Sequence, residues 1–163
     1  MKIFYFGGQK CGKTACAIQK TLELAKDKKP IYVATYLDNY NDKEMQERLK
    51  NHKKERSDTF ITIEEGYDLS HLQEGETYLI DCLSMWILNN LEKTKEELIT
   101  QIEKLFEKEC NIVFILNDVS RGIIPLDSQS RKFVDLSGII GQVVAKNCDE
   151  VYDVSYSIAR QIK

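Results

Sequence analysis

Eight consecutive residues near the start of the chain, Gly7-Gly8-Gln9-Lys10-Cys11-Gly12-Lys13-Thr14, have the types and spacing of a phosphate cradle. They fill every fixed position of G-x-x-x-x-G-K-[ST]. Glycines let the backbone turn tightly enough for its N–H groups to point inward at an anion. A helix that opens at the end of the motif aims its N-terminal dipole at the same charge. In such a cradle Lys13 reaches the β- and γ-phosphates of a nucleotide, and the Thr14 hydroxyl is a ligand for Mg²⁺. A P-loop also needs a carboxylate near the metal, at the end of a strand. Asp81 ends the apolar run Tyr78-Leu79-Ile80 and fits that role. The competing reading makes Asp81 the cap of the helix that follows it.

The segment from Asp42 to Arg56 holds a second group of chemically able residues. Lys50, Lys53, Lys54 and Arg56 crowd cations around His52, one of two histidines in the chain; the other is His71. Such a run is either the solvated face of a helix or a surface that binds phosphates. Neighbouring cations favour the neutral imidazole, and the neutral imidazole is the nucleophilic form.

These residues must be positioned by regular elements, and apolar runs alternate with amphipathic stretches along the whole length. Ile3–Phe6, Ile31–Thr35, Phe60–Ile63, Thr77–Ile80 and Asn111–Leu116 read as strands, with Glu150–Val154 as a last one. Thr14–Lys26 reads as a helix with Ala17, Ile18, Leu22 and Ala25 on one face. Asp42–Lys54, Ser84–Leu91, Thr94–Lys108 and Ser128–Lys146 read as further helices. Near-continuous apolar strands separated by helices predict an α/β fold, a largely parallel sheet with helices on both faces. Asp118 to Asp127 is a long irregular loop after a central strand, a place where function collects.

Composition narrows the class. The chain has 163 residues and 42% hydrophobic content, which fits one domain spanning 1–163 with a sizeable core. The net charge of −3 gives no bulk electrostatic reason to expect nucleic-acid binding. No apolar run approaches the ~20 residues that cross a bilayer. MKIFYF followed by Gly-Gly lacks the apolar core of a signal peptide. Five cysteines, Cys11, Cys16, Cys82, Cys110 and Cys148, form no C-x-x-C pair and read as free thiols of a reducing compartment. The expectation is a cytoplasmic protein with no membrane span.

The motifs together resemble the bifunctional adenosylcobinamide kinase/adenosylcobinamide-phosphate guanylyltransferase family of cobalamin biosynthesis. Gly7–Thr14 resembles its GG-x-R-S-G-K-S opening, and Tyr32-Val33-Ala34-Thr35 its Y-I-A-T strand. Asp42, Glu44, Met45, Arg48, His52, Arg56, Thr62 and Glu64 fall at the spacing of its histidine segment. Leu79-Ile80-Asp81-Cys82-Leu83, Asn117-Asp118-Val119 and Gly122-Ile123-Ile124-Pro125 match later motifs, as do Arg131, Phe133, Asp135, Gly138, Gln142, Ala145 and Asp149-Glu150-Val151. Asn51, Ser120, Arg121 and Gly141 depart from the pattern, and Ser155-Tyr156-Ser157-Ile158 lacks the family's glycine.

The resemblance implies a RecA-like P-loop fold of three layers and a homotrimer. It implies phosphorylation of the aminopropanol hydroxyl of adenosylcobinamide, followed by transfer of GMP from GTP through a phosphoramidate on the motif histidine, here His52. Lys13 would be the second catalytic residue. Gly7, Gly8, Gln9, Lys10, Cys11, Gly12, Lys13, Thr14, Thr35, Tyr36, Leu37, Lys53, Lys54, Glu55, Arg56, Glu64 and Asp81 would contact the nucleotide, GTP or ATP. Thr14 and Asp81 would hold Mg²⁺. Two other readings stay open on the residues alone: a monofunctional small-molecule or nucleoside kinase, and a regulatory protein that binds nucleotide without turnover.

Overall fold

The computed structural model describes residues 1–37 and 58–163. Among the described residues the runs form one sheet of seven strands: β1 (Lys2–Gly7), β2 (Ile31–Ala34), β3 (Ile61–Glu64), β4 (Thr77–Asp81), β5 (Asn111–Asn117), β6 (Glu150–Ser155) and β7 (Ile158–Gln161). Their order across the sheet is β3-β2-β4-β5-β1-β6-β7. β1 to β6 pair in parallel, and β7 alone runs antiparallel, against β6. The central strands are apolar on both faces because both faces are covered: Ile112, Val113, Phe114 and Ile115 of β5 are fully buried.

Helix α1 (Lys13–Ala25) lies on one face, over Ile3, Tyr5, Tyr32, Leu79 and Ile115. On the other face α2 (Leu83–Asn89), α3 (Lys95–Glu107) and α4 (Ser128–Asn147) cover Phe4, Val33, Ile80 and Phe114. The inward line of α1 is Ala17, Thr21 and Ala25, while the expected Ile18 and Leu22 are only half-buried. Small side chains let α1 approach the sheet closely, and the buried Thr21 hydroxyl is satisfied by the Ala17 carbonyl at 2.7 Å. α3 starts at a capping box, in which Thr94 and Glu97 satisfy each other's backbone N–H groups.

The α/β sheet with helices on both faces is as the apolar pattern predicts, and the strand carrying Asp81 stands two places from β1, with β5 between. One expected element is corrected. Glu150 opens not the last strand but the next to last, because the chain turns at Tyr156 and Ser157 and returns as β7. Both turn residues have positive φ, 50° and 63°, with no glycine or asparagine to announce it. Residues 118–127 form no helix or strand, as expected. The charged segment from Asp42 to Arg56 lies outside the described residues. All five cysteines are free thiols, three of them buried. Among the described residues no helix is long and apolar enough to cross a membrane.

Candidate active site

In a parallel sheet every strand delivers its C-terminal end to the same edge. Here that edge receives Gly7 from β1, Ala34 from β2, Glu64 from β3, Asp81 from β4 and Asn117 from β5. The register aligns Ala34 with both Glu64 and Asp81, and Gly7 with Asn117. Residues far apart in sequence thus share one rim.

The phosphate loop joins β1 to α1 at this rim. A β-carbon on Gly7 would collide with the Val154 carbonyl and the Cys11 thiol, and one on Gly12 would collide with Ser157 Oγ. Gly12 also has φ of +92° and is the N-cap of α1. Both positions therefore demand glycine. Lys13 is almost fully buried at 6% exposure, and its ammonium donates to the Gly8 carbonyl at 3.1 Å. A buried cation whose partner among the described residues is one loop carbonyl is poised to accept an anion.

Beside it opens a cleft of about 540 Å³. Gln9, Lys10, Gly12, Lys13 and Thr14 line it from the loop, and Asp81 and Asn117 from the strand ends. Asp81 is the last residue of β4 and does not cap α2, whose N-cap is Cys82. Its carboxylate accepts from the Tyr32 hydroxyl and faces the same cleft as the Thr14 hydroxyl. Two hard oxygen donors beside a phosphate cradle are the set that a magnesium–nucleotide complex needs. No cluster of three or more acidic, histidine or cysteine side chains able to hold a metal occurs among the described residues. The donor chemistry therefore fits an ion shared with phosphates.

Thr35 positions Asp81. Its fully buried hydroxyl donates to the Cys82 carbonyl at 2.7 Å and accepts from the Cys82 N–H at 2.8 Å, while its own N–H donates to the Asp81 carbonyl at 3.2 Å. That hydroxyl is thus committed to backbone. Burial, and then the Asp81 charge, push the Cys82 thiol up to about 11, so it stays protonated. Asn89 Nδ2 donates to the carbonyls of Thr35 at 2.8 Å and Gly66 at 3.2 Å, tying α2 to the exits of β2 and β3. Tyr36 and Leu37 follow half-buried, and Leu37 packs so close to Gly66 that a β-carbon there would lie 2.8 Å from it. Glu64 is exposed at the rim.

The Cys11 thiol packs against Gly7 and Cys11 does not line the cleft, while Gly8 offers its carbonyl to Lys13. His52, Lys53, Lys54, Glu55 and Arg56 lie outside the described residues. Asn117, Tyr32 and Ser157 were absent from the expected site. Asn117 carried the same signal as Asp81, a polar residue closing an apolar strand. Tyr32 and Ser157 gave no signal, because their roles arise only once strands are side by side.

The chain is also similar to known proteins. The family described as cobinamide kinase / cobinamide phosphate guanyltransferase matches residues 3–162. The chain is 30% identical to the bifunctional adenosylcobalamin biosynthesis protein CobP of Pseudomonas aeruginosa, over 93% of this chain and 91% of that one. It is 25% identical to the bifunctional adenosylcobalamin biosynthesis protein CobU of Escherichia coli K12, over the full length of both. A solved structure from a structural study of Pyrococcus horikoshii OT3 superposes with a TM-score of 0.53 at 13% identity, covering 99% of this chain and 85% of that one. That likeness is one of fold.

Proposed function

The chain belongs to the cobinamide kinase / cobinamide phosphate guanyltransferase family and is an enzyme of that bifunctional class, and we propose that its guanylyl transfer runs through a covalent intermediate on His52. The observation that carries the nucleotide half is the meeting of Lys13, Thr14 and Asp81 in one cleft. In the kinase step the corrinoid hydroxyl oxygen attacks the γ-phosphorus of ATP or GTP. The nucleoside diphosphate leaves, and the hydroxyl proton passes to solvent. Lys13 and the loop N–H groups stabilise charge on the phosphoryl oxygens.

In the second step an imidazole nitrogen of His52 attacks the α-phosphorus of GTP and pyrophosphate leaves. The corrinoid phosphate oxygen then displaces the nitrogen, giving the corrinoid–GDP product and restoring the imidazole. Lys53, Lys54 and Arg56 would neutralise the departing pyrophosphate, with Glu55 and Glu64 beside the nucleotide. Support for this reading comes from the exit of β2: the chain leaves the sheet after Ala34, on the rim that bears the phosphate loop, and the His52 segment follows in sequence. Mg²⁺, held by Thr14 and Asp81 together with the nucleotide, would supply charge neutralisation. We also assign the protein to the cytoplasm, on its free thiols, and to a homotrimer, on the family resemblance; sedimentation equilibrium showing a monomer at micromolar concentration would remove the trimer.

Incubation with α-labelled GTP and Mg²⁺ tests the covalent step. The wild-type protein should carry a label that is acid-labile and alkali-stable, as a phosphorus–nitrogen bond is. His52→Ala should lose the label and keep nucleotide binding, and His71→Ala should label normally. Label persisting in the His52 variant would leave a plain kinase as the better reading.

A further inference from the structure

A second cavity of about 270 Å³ lies on the opposite face of the sheet from α1, between α4, the face of β1, the end of β5 and the start of β6. Its walls are mostly apolar, with Phe6 and Leu116 on the sheet side and Ser137, Gly138 and Gly141 on α4. A β-carbon on Gly141 would lie 3.2 Å from Leu116, but one on Gly138 would meet nothing within 4 Å. The helix therefore touches the sheet at Gly141 and stands away from it at Gly138.

Ser137, a residue only 3% exposed, lines this space, and its hydroxyl is buried in the wall. It is the one buried side-chain polar atom without a hydrogen-bond partner among the described residues. A helical serine usually returns its proton to the carbonyl one turn back; this one does not. An orphaned buried hydroxyl costs stability, and a ligand with a polar atom at that depth would satisfy it. At the mouth Arg121 lies 6.0 Å over the Phe6 ring, paired with Asp118 at 2.7 Å and Asp153 at 3.5 Å. Its charge is already answered by two carboxylates, so the entrance does not select an anion. The last feature is continuity: Asn117 lines both this cavity and the phosphate cleft.

We propose that this cavity holds one uncharged, amide-bearing aliphatic arm of the corrinoid acceptor, with Ser137 hydrogen-bonded to the amide and Asn117 as the wall shared with the nucleotide. The corrin ring of cobinamide carries short aliphatic arms that end in carboxamides. Such an arm offers apolar methylenes to Phe6 and Leu116 and a carbonyl or N–H to the serine. An arm seated here anchors the acceptor beside the strand end that borders the γ-phosphate site. The inference rests on the corrinoid being the acceptor, as proposed above.

The test is equilibrium dialysis of cobinamide and of GTP against the whole protein, with Ser137→Ala and Gly138→Leu. Ser137→Ala removes no existing hydrogen bond, and leucine in place of Gly138 is a better helix former, so both variants should fold. Ser137→Ala should weaken cobinamide binding about 3- to 10-fold, the worth of one hydrogen bond. Gly138→Leu should weaken it further by filling the space. GTP affinity should not change. Folded variants that bind cobinamide like the wild type overturn the pocket, as does an equal loss of GTP and cobinamide binding. Wild-type protein that binds cobinamide but transfers neither phosphate nor GMP removes the catalytic reading, and weakened variants would still support the pocket.

Discussion

Asp81 and Lys13 meet in the cleft with unequal dependence on it. The Lys13 ammonium is buried against the Gly8 carbonyl and belongs to the loop's own packing. The Asp81 carboxylate accepts from Tyr32 and Asp81 borders the cleft, with its backbone held by Thr35. A neutral amide at position 81 keeps an oxygen for Tyr32 and loses the charge. Asp81→Asn should therefore leave the melting temperature near that of the wild type while turnover at saturating nucleotide falls about 10²-fold, the scale of one lost transition-state charge contact. Thermal unfolding and a magnesium titration of turnover check it. Equal losses of stability and activity would make the carboxylate a structural group. That Lys13, Thr14 and Asp81 share one cleft was legible because charge and glycine at fixed spacing carry their chemistry in their type. Thr35 was legible by position only: its hydroxyl serves Cys82, which no local pattern announces.

The β6–β7 hairpin supports the phosphate loop from below. Ser157 N–H donates to the Cys11 carbonyl at 2.7 Å, and Ser157 Oγ crowds Gly12. Yet Tyr156 and Ser157 both hold left-handed backbone that costs an ordinary residue roughly 1–2 kcal/mol. Tyr156→Asn with Ser157→Gly should stabilise the protein by about 1–2 kcal/mol, raising Tm by roughly 2–8 °C at this chain length. Differential scanning calorimetry reads the shift, and a lower Tm would mean that the Ser157 side chain supports the loop more than the turn strains it. At the start of the same hairpin, Glu150 accepts from Tyr152 at 2.7 Å and pairs with Lys20 of α1 at 3.0 Å. The Tyr152 hydroxyl, and then Lys20, hold the Glu150 carboxyl below the usual carboxylate range. A depressed carboxyl contributes stability above its unfolded pKa of about 4.3 and loses it as pH falls through the folded value. Glu150→Gln should cost about 0.5–1 kcal/mol at pH 7, and the gap between the two proteins should close in denaturant melts taken towards pH 3. A gap that is constant with pH would assign it to packing.

Across the whole molecule, element type was legible wherever burial imposes a period. β5 reads as a strand because both its faces are covered, and α3 reads as a helix because Leu98, Ile102 and Leu105 all face inward. The β7 strand was not legible, for its residues are exposed and the turn before it uses Tyr and Ser where sequence reasoning looks for Asn and Gly. The acceptor cavity was invisible for another reason: Phe6, Asn117 and Ser137 come together only when β1, β5 and α4 are assembled. That assembly gives Asn117 an unusual position. Its N–H is held by Ser84 Oγ at 2.9 Å, and the residue lines two cavities at once. If the shared wall couples the two ligands, the coupling is reciprocal. With a non-hydrolysable GTP analogue bound, the change in cobinamide affinity should equal, as a ratio, the change in analogue affinity with cobinamide bound. Asn117→Ala should pull both ratios towards unity, and ratios already at unity in the wild type would show that the shared wall transmits nothing. A coupled pair of sites would let the protein sense whether its second substrate has arrived before either bond is broken.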